Sequence, residues 1–223
     1  MTPAGIVAEE HRPTLPDLLG PRLARLPAAA RVALAATGAA VLVAAAVLVA
    51  LRPGEDVHEY VHRGQVAFNF RYPDPLARAH PRGSELVRLE RRHPDGLFVQ
   101  SFAVESLELP AYRGEAGGLL PIVAESEMTS LARRFRDFEL VQEGKTRLNE
   151  VPGYAIAFRA RLGERRLFGR EVMLPEPVPG GRRGVRLLLL ATPSAGVNRA
   201  EDVGVRGVIK RPYRTFRFGT EAP

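Results

Sequence analysis

His58-Glu59-Tyr60-Val61-His62 is the stretch of this chain whose residue types and spacing match a known chemistry. It fits H-E-x-x-H, in which two imidazoles one helical turn apart bind zinc and the glutamate serves as general base. A third ligand would have to come from His80, His93 or a distant glutamate. The surroundings weigh against this use. The extended zinc-protease pattern asks for a glycine and then a third histidine further on, where the chain carries Gln65 and Phe68. Pro53-Gly54 before the motif and a strand beginning near Gln65 leave little room for a helix, and no sheet precedes it to form a cleft. The expectation is a solvated lead-in with Tyr60 packed on the domain, no metal ligand and no catalytic residue. The enzymatic alternative is a membrane-tethered zinc hydrolase using His58, Glu59 and His62.

Other chemistry is sparse. His80 and His93 stand next to prolines and are expected on surface loops. No nucleophile elbow, dinucleotide fingerprint, Walker loop or calcium-loop spacing occurs. With no cysteine there is no disulfide scaffold, Cys-ligated zinc, iron–sulfur cluster or thiol nucleophile. No cofactor is expected. Basic residues cluster at Arg91-Arg92, Arg133-Arg134-Arg136, Arg165-Arg166 and Arg182-Arg183-Arg186, and the net charge is +7. The expectation is a solvated, arginine-rich surface; anionic lipid headgroups or wall polymers are the alternative contact, and nucleic acid is not expected.

The elements that would hold these residues begin with Val32 to Leu51, VALAATGAAVLVAAAVLVAL, twenty residues without a charge. As a helix this is about 30 Å long, the thickness of a bilayer's hydrocarbon core, and it shows no polar face. The run is too long for a signal-peptide core and no A-x-A site directly precedes Leu51-Arg52, so an uncleaved transmembrane helix is expected. Arg12, Arg22, Arg25 and Arg31 precede it, whereas Arg52 and Arg63 are mixed with Glu55, Asp56 and Glu59. Positive charge held inside places the amino terminus in the cytoplasm and residues 52–223 outside. The tail at 1–31, punctuated by five prolines, is expected to be largely disordered. Residues 52–64 are a linker, and 65–219 the extracytoplasmic domain.

Gln65 to Tyr72 alternates Val66, Phe68, Phe70 and Tyr72 as a half-buried strand. Leu86 to Arg92 and Leu97 to Leu109 flank a turn at His93-Pro94-Asp95-Gly96. Leu120, Ala124, Met128, Leu131, Phe135 and Phe138 then recur at helical spacing and predict a helix over 121–137. Strands follow at 138–147 and 154–162, with a turn at Val151-Pro152-Gly153 between them, and again at 165–174 and 185–191. The run VRLLLLA marks the last as a central strand. Residues 199–218 have near-helical spacing limited by Pro212. Three strands, a helix, four strands and a helix predict an α+β domain, a mostly antiparallel sheet with helices on its faces.

Phe68-Asn69-Phe70-Arg71-Tyr72-Pro73, closing on Tyr-Pro, resembles the opening strand of PsbP-like domains. Val151-Pro152-Gly153-Tyr154-Ala155, leading through a long hairpin to the Leu187–Ala191 strand, resembles the middle of that family. The final helix running into Arg214-Thr215-Phe216-Arg217-Phe218 resembles its close, with Thr215 where serine is usual and Pro212 interrupting the helix. The resemblance covers residues 57–219 and implies an α/β/α sandwich shared with photosynthetic extrinsic subunits and Ran-binding proteins. It implies a binding scaffold without common catalytic residues, so no site residue carries over. A nuclear-transport-factor-like cone is the structural alternative. The function expected is a single-pass, membrane-anchored binding or assembly module of the cell envelope with no enzymatic activity. Its partners would be the bilayer and an envelope protein; a structural subunit of an envelope complex is the remaining alternative.

Overall fold

The computed structural model describes residues 56–114 and 116–221 and, before them, only 27, 30, 37–41 and 43. The tail expected at 1–31 thus lies outside the described residues except for 27 and 30, and the span expected at 32–51 except for 37–41 and 43. Among these no helix is long and apolar enough to cross a membrane. The chain separates into two units, 1–54 and 55–223.

In the second unit the strands are β1 (Val57–His62), β2 (Phe68–Pro73), β3 (Ala77–Ala79), β4 (Glu85–Arg92) and β5 (Phe98–Glu108). After helix α1 (Ala116–Arg134) come β6 (Arg136–Leu148), β7 (Val151–Leu162), β8 (Arg165–Pro175) and β9 (Arg183–Ala191). Two short 3-10 turns, helix α2 (Lys210–Thr215) and β10 (Arg217–Phe218) close the chain. Seven strands form one sheet in the order β3-β4-β5-β9-β8-β7-β6, and three form a second, β1-β2-β10; every strand pair is antiparallel.

β9 sits in the middle of the large sheet because its run of leucines has two apolar surfaces to fill. Leu188 and Leu190 join Ile156, Phe158, Met173 and the helix residues Leu120, Ala124 and Leu131 on one side. Leu187 and Leu189 join Val87, Leu89, Phe102, Val104 and Val172 on the other. The alternation read in Gln65–Tyr72 holds, with Phe68 and Phe70 fully buried. Phe70 meets Phe102 edge-on at 5.1 Å, and Phe68 stacks on Phe216 at 5.5 Å. Fully burying a phenylalanine contributes up to about 3 kcal/mol, so these rings fasten the small sheet onto the large one.

Five expectations change. The second face is covered by the small sheet and a six-residue helix, not by a long one. Gly204 and Gly207 at φ 77° and 74° break the near-helical run of 199–218 before Pro212 can. Helix α1 begins at Ala116 and stops at Arg134; the helical period ran on because Phe135 and Phe138 both pack on Phe158, at 5.2 and 5.3 Å. The strands β1, β3 and β10 were not foreseen. The β6–β7 turn is not Val151-Pro152-Gly153, which already belongs to β7, but Asn149-Glu150, at φ 45° and 70°. Two residues of positive φ give a loop whose twist matches the flanking strands.

Asn149 does more than turn the chain. Its side-chain amide donates to the carbonyls of Arg214 at 2.9 Å and Phe216 at 2.6 Å, clasping the end of α2. Asn149→Gly, which keeps the backbone but loses both bonds, should cost about 1–2 kcal/mol. Asn149→Ala should cost about 1 kcal/mol more through backbone strain. Urea unfolding of the two variants checks the order; equal losses would show that the turn carries no strain.

Candidate ligand cleft

The H-E-x-x-H residues lie on a strand. Val57, Tyr60 and Val61 favour extended backbone, and β1 pairs along its whole length with β2, His58 opposite Tyr72 and His62 opposite Phe68. Four residues along a strand is about 13 Å, roughly twice the separation on a helix face, so the two imidazoles do not face one ion. They are separately engaged: His58 Nε2 lies 2.5 Å from Asp74 Oδ1, and His62 stacks on Phe68 at 4.7 Å. Burial lowers the pKa of His62. Glu59 stands opposite Arg71. His80 and His93 are exposed in loops as expected. Among the described residues no group of three or more His, Asp or Glu is placed to hold a metal.

Charge gathers elsewhere, under α1. The helix presents Leu120, Ala124, Glu127, Leu131 and Arg134 at alternating steps of four and three, so its sheet-facing stripe includes an acid and a base. Below them Arg88 Nη1 lies 2.9 Å from Glu85 and its Nε 2.9 Å from Glu90. Arg134 meets Glu105 at 2.8 Å and Glu85 at 3.6 Å. Arg186 meets Glu127 at 2.6 Å and Glu105 at 3.3 Å, and Arg92 meets Glu90 at 2.5 Å. Arg88, Glu85, Glu90 and Glu105 are all buried. In sequence these were polar positions of alternating strands; packing turned them inward.

Glu171 sits beside this chain, 1% exposed, with its Oε1 lacking a hydrogen-bond partner. Burial raises its pKa to about 8; Glu127 and Glu105 push the same way, and Arg186 and Arg134 oppose. A protonated Glu171 leaves Glu85, Glu90, Glu105 and Glu127 balanced by Arg88, Arg92, Arg134 and Arg186. Its local signal was its place among Leu167, Gly169 and Met173 on a strand otherwise apolar on that face.

Past the end of α1 the charged strip opens into a cleft of about 770 Å³. The β4–β5 turn supplies Leu97 and Phe98, the β7–β8 hairpin Arg161, Leu162, Arg165 and Leu167, the loop before β4 Arg82 and Ser84, and the helix end Arg134 and Phe135. Arg88, Glu90, Glu105 and Leu190 also line it. Both acids are held by arginines. Arg161 pairs with Asp137 at 3.2 Å. The guanidinium groups of Arg82 and Arg165 have no carboxylate partner among the described residues: Arg82 reaches Glu85 only through its backbone amide, at 2.9 Å, and the Arg165 guanidinium donates to the Phe98 carbonyl at 3.3 Å. Leu97 and Leu162 are 47% and 41% exposed at the tips of the two hairpins. The arrangement offers unneutralised cations beside uncovered apolar surface, which suits a ligand with an anionic group on an apolar body.

Glu171 generates a pH prediction. Its folded pKa is raised above the usual carboxyl value near 4.3, so the native state holds the extra proton and stability is greatest below that value. As pH rises from about 4.5 to about 8 this stability is lost, at up to about 1.4 kcal/mol per pH unit. Urea midpoints for Glu171→Gln, which keeps the shape but not the titration, should fall less steeply over that range than wild type. Parallel curves would mean Glu171 is ionised in the native state.

No family model matches the chain, and none of the curated proteins does. Among solved structures the chain is similar to the cyanobacterial PsbP protein CyanoP of Synechocystis sp. PCC 6803. The TM-score is 0.52 at 14% identity, covering 76% of this chain and 96% of that one. It is also matched to LpqN of Mycobacterium tuberculosis, involved in cell envelope biogenesis (TM-score 0.49, 8% identity, 73% and 91% covered). The Ran-binding protein Mog1p of Saccharomyces cerevisiae gives a TM-score of 0.44 at 12% identity, with 74% and 96% covered. The likeness to CyanoP shows a PsbP-like fold over 76% of the chain, and at such identity it speaks for the fold alone.

Proposed function

We propose that this chain is a binding module of the cell envelope, anchored by residues 32–51 with its amino terminus in the cytoplasm and residues 52–223 outside. Its domain would bind, without catalysis, an acidic segment of an envelope protein that carries apolar side chains. The observation that carries this reading is the cleft, where the guanidinium groups of Arg82 and Arg165 lack carboxylate partners among the described residues and Leu97 and Leu162 stand exposed on its two lips. Its acids are already engaged by arginines, which leaves no free carboxylate to act as a base. The anchor rests on the uncharged twenty-residue run and the arginines before it.

The test isolates the full-length chain and an Arg82→Glu/Arg165→Glu variant from membranes of the same cells after mild cross-linking. Both should remain in the membrane fraction, and the variant should lose an envelope protein that wild type retains. Equal recovery of that protein would move binding away from the cleft. Appearance of both chains in the soluble fraction would remove the anchor.

A further inference from the structure

A second cationic site lies on the opposite face of the large sheet from α1. Arg91 of β4 and Lys210, Arg211 and Arg214 of α2 line a depression of about 440 Å³ together with Pro73 and Thr215. No acid lines it, and none of the four cations is paired with a carboxylate among the described residues. The helix is held so that they face outward. Pro212 and Tyr213 are buried in the core, and Thr215 Oγ1 accepts from the Arg71 amide at 2.9 Å, fixing α2 against β2. Four like charges brought together without a counter-charge repel one another, and an anion relieves that repulsion.

The place of this site indicates the source of the anion. Pro73 ends β2 directly opposite Val57, the first residue of β1, and the Asp74 amide donates to the Asp56 carbonyl at 3.1 Å. The depression is therefore on the side where the chain enters the folded unit. Only residues 52–56 separate Val57 from the apolar run ending at Leu51, a reach of about 20 Å at most. Asp74, the acid beside Pro73, is taken up by His58 at 2.5 Å.

We propose that Arg91, Lys210, Arg211 and Arg214 form a docking surface for the phosphate headgroups of anionic lipid. The surface would hold the domain down on the membrane that anchors it. This rests on the reading that residues 32–51 span the bilayer. Such contact is summed from several exposed cations and is screened by salt.

The full chain is incorporated into nanodiscs of phosphatidylcholine, with or without phosphatidylglycerol, and amide hydrogen exchange is followed over residues 207–216. Phosphatidylglycerol should slow exchange there on the order of tenfold, an effect lost in molar salt. It should also be lost in Arg91→Gln/Lys210→Gln/Arg211→Gln/Arg214→Gln. Arg211→Gln/Arg214→Gln, which spares the half-buried Arg91, should lose most of it, with β5 and β9 exchange unchanged as the check on folding. Equal exchange in the two discs overturns the proposal. So does equal slowing by inorganic phosphate in phosphatidylcholine discs, which would mark a free-anion site. A chain that elutes outside the discs defeats the anchor instead; it is then offered phosphatidylglycerol vesicles, where binding supports the lipid surface and no binding overturns it.

Discussion

Helix α1 can lie on the large sheet only because the charges beneath it are matched one against another. Glu90, Arg88, Glu85, Arg134, Glu105, Arg186 and Glu127 form an alternating chain that runs from β4 across β5 and β9 and up into the helix. Taking such groups out of water costs several kcal/mol per ion, and only near-complete pairing offsets it. The pairing therefore says little about net stability and much about register. A helix rotated or slid by one residue would move Glu127 and Arg134 off their partners and leave buried charge alone. The cleft is a by-product of the same arrangement: it lies where the strip runs out from beneath the helix, so its floor is charged and its walls mix arginines with apolar side chains.

The two faces of the large sheet solve their burial differently. Under α1 the apolar core of Ile156, Phe158, Met173 and Leu188 is interrupted by the ionic strip, and the covering helix is a single continuous piece. On the other face the core is almost purely apolar, sealed by Phe68, Phe70, Tyr213 and Phe216 from short segments distant in sequence. No long helix is needed there because the aromatic rings fill the volume. This leaves the short segments free to present cations outward, as α2 does.

Some of this was legible from local pattern. The turn at His93–Gly96 follows from Pro94, Asp95 and Gly96 themselves, and β9 from a leucine run too apolar for one face. β1 was hidden because a strand also places residues i and i+4 on one side, so the H-E-x-x-H spacing could not separate helix from strand. β3, three residues long, is held by its pairing with β4 and by little that is local. The candidate cleft was the least legible. Arg88 and Glu90 alternate with Val87 and Leu89 as the solvent face of any strand would, and only the distant α1 makes that face an interior. Arg82 and Arg165 gain meaning from the hairpins that bring them to one opening, which composition does not record.

The last strand has a consequence for how the molecule is completed. β10 pairs Arg217 with Asn69 across most of the domain's length, and the Asn69 amide donates to the carbonyls of Gly219 and Glu221. β10 thus closes a sheet begun by β1 and β2, the most non-local strand pairing among the described residues. During synthesis β2 is made well before β10, and until Arg217 and Phe218 follow it waits with an unpaired edge beside exposed Phe68. The domain's exposure to wrong partners is therefore set by the time between the making of β2 and the arrival of β10.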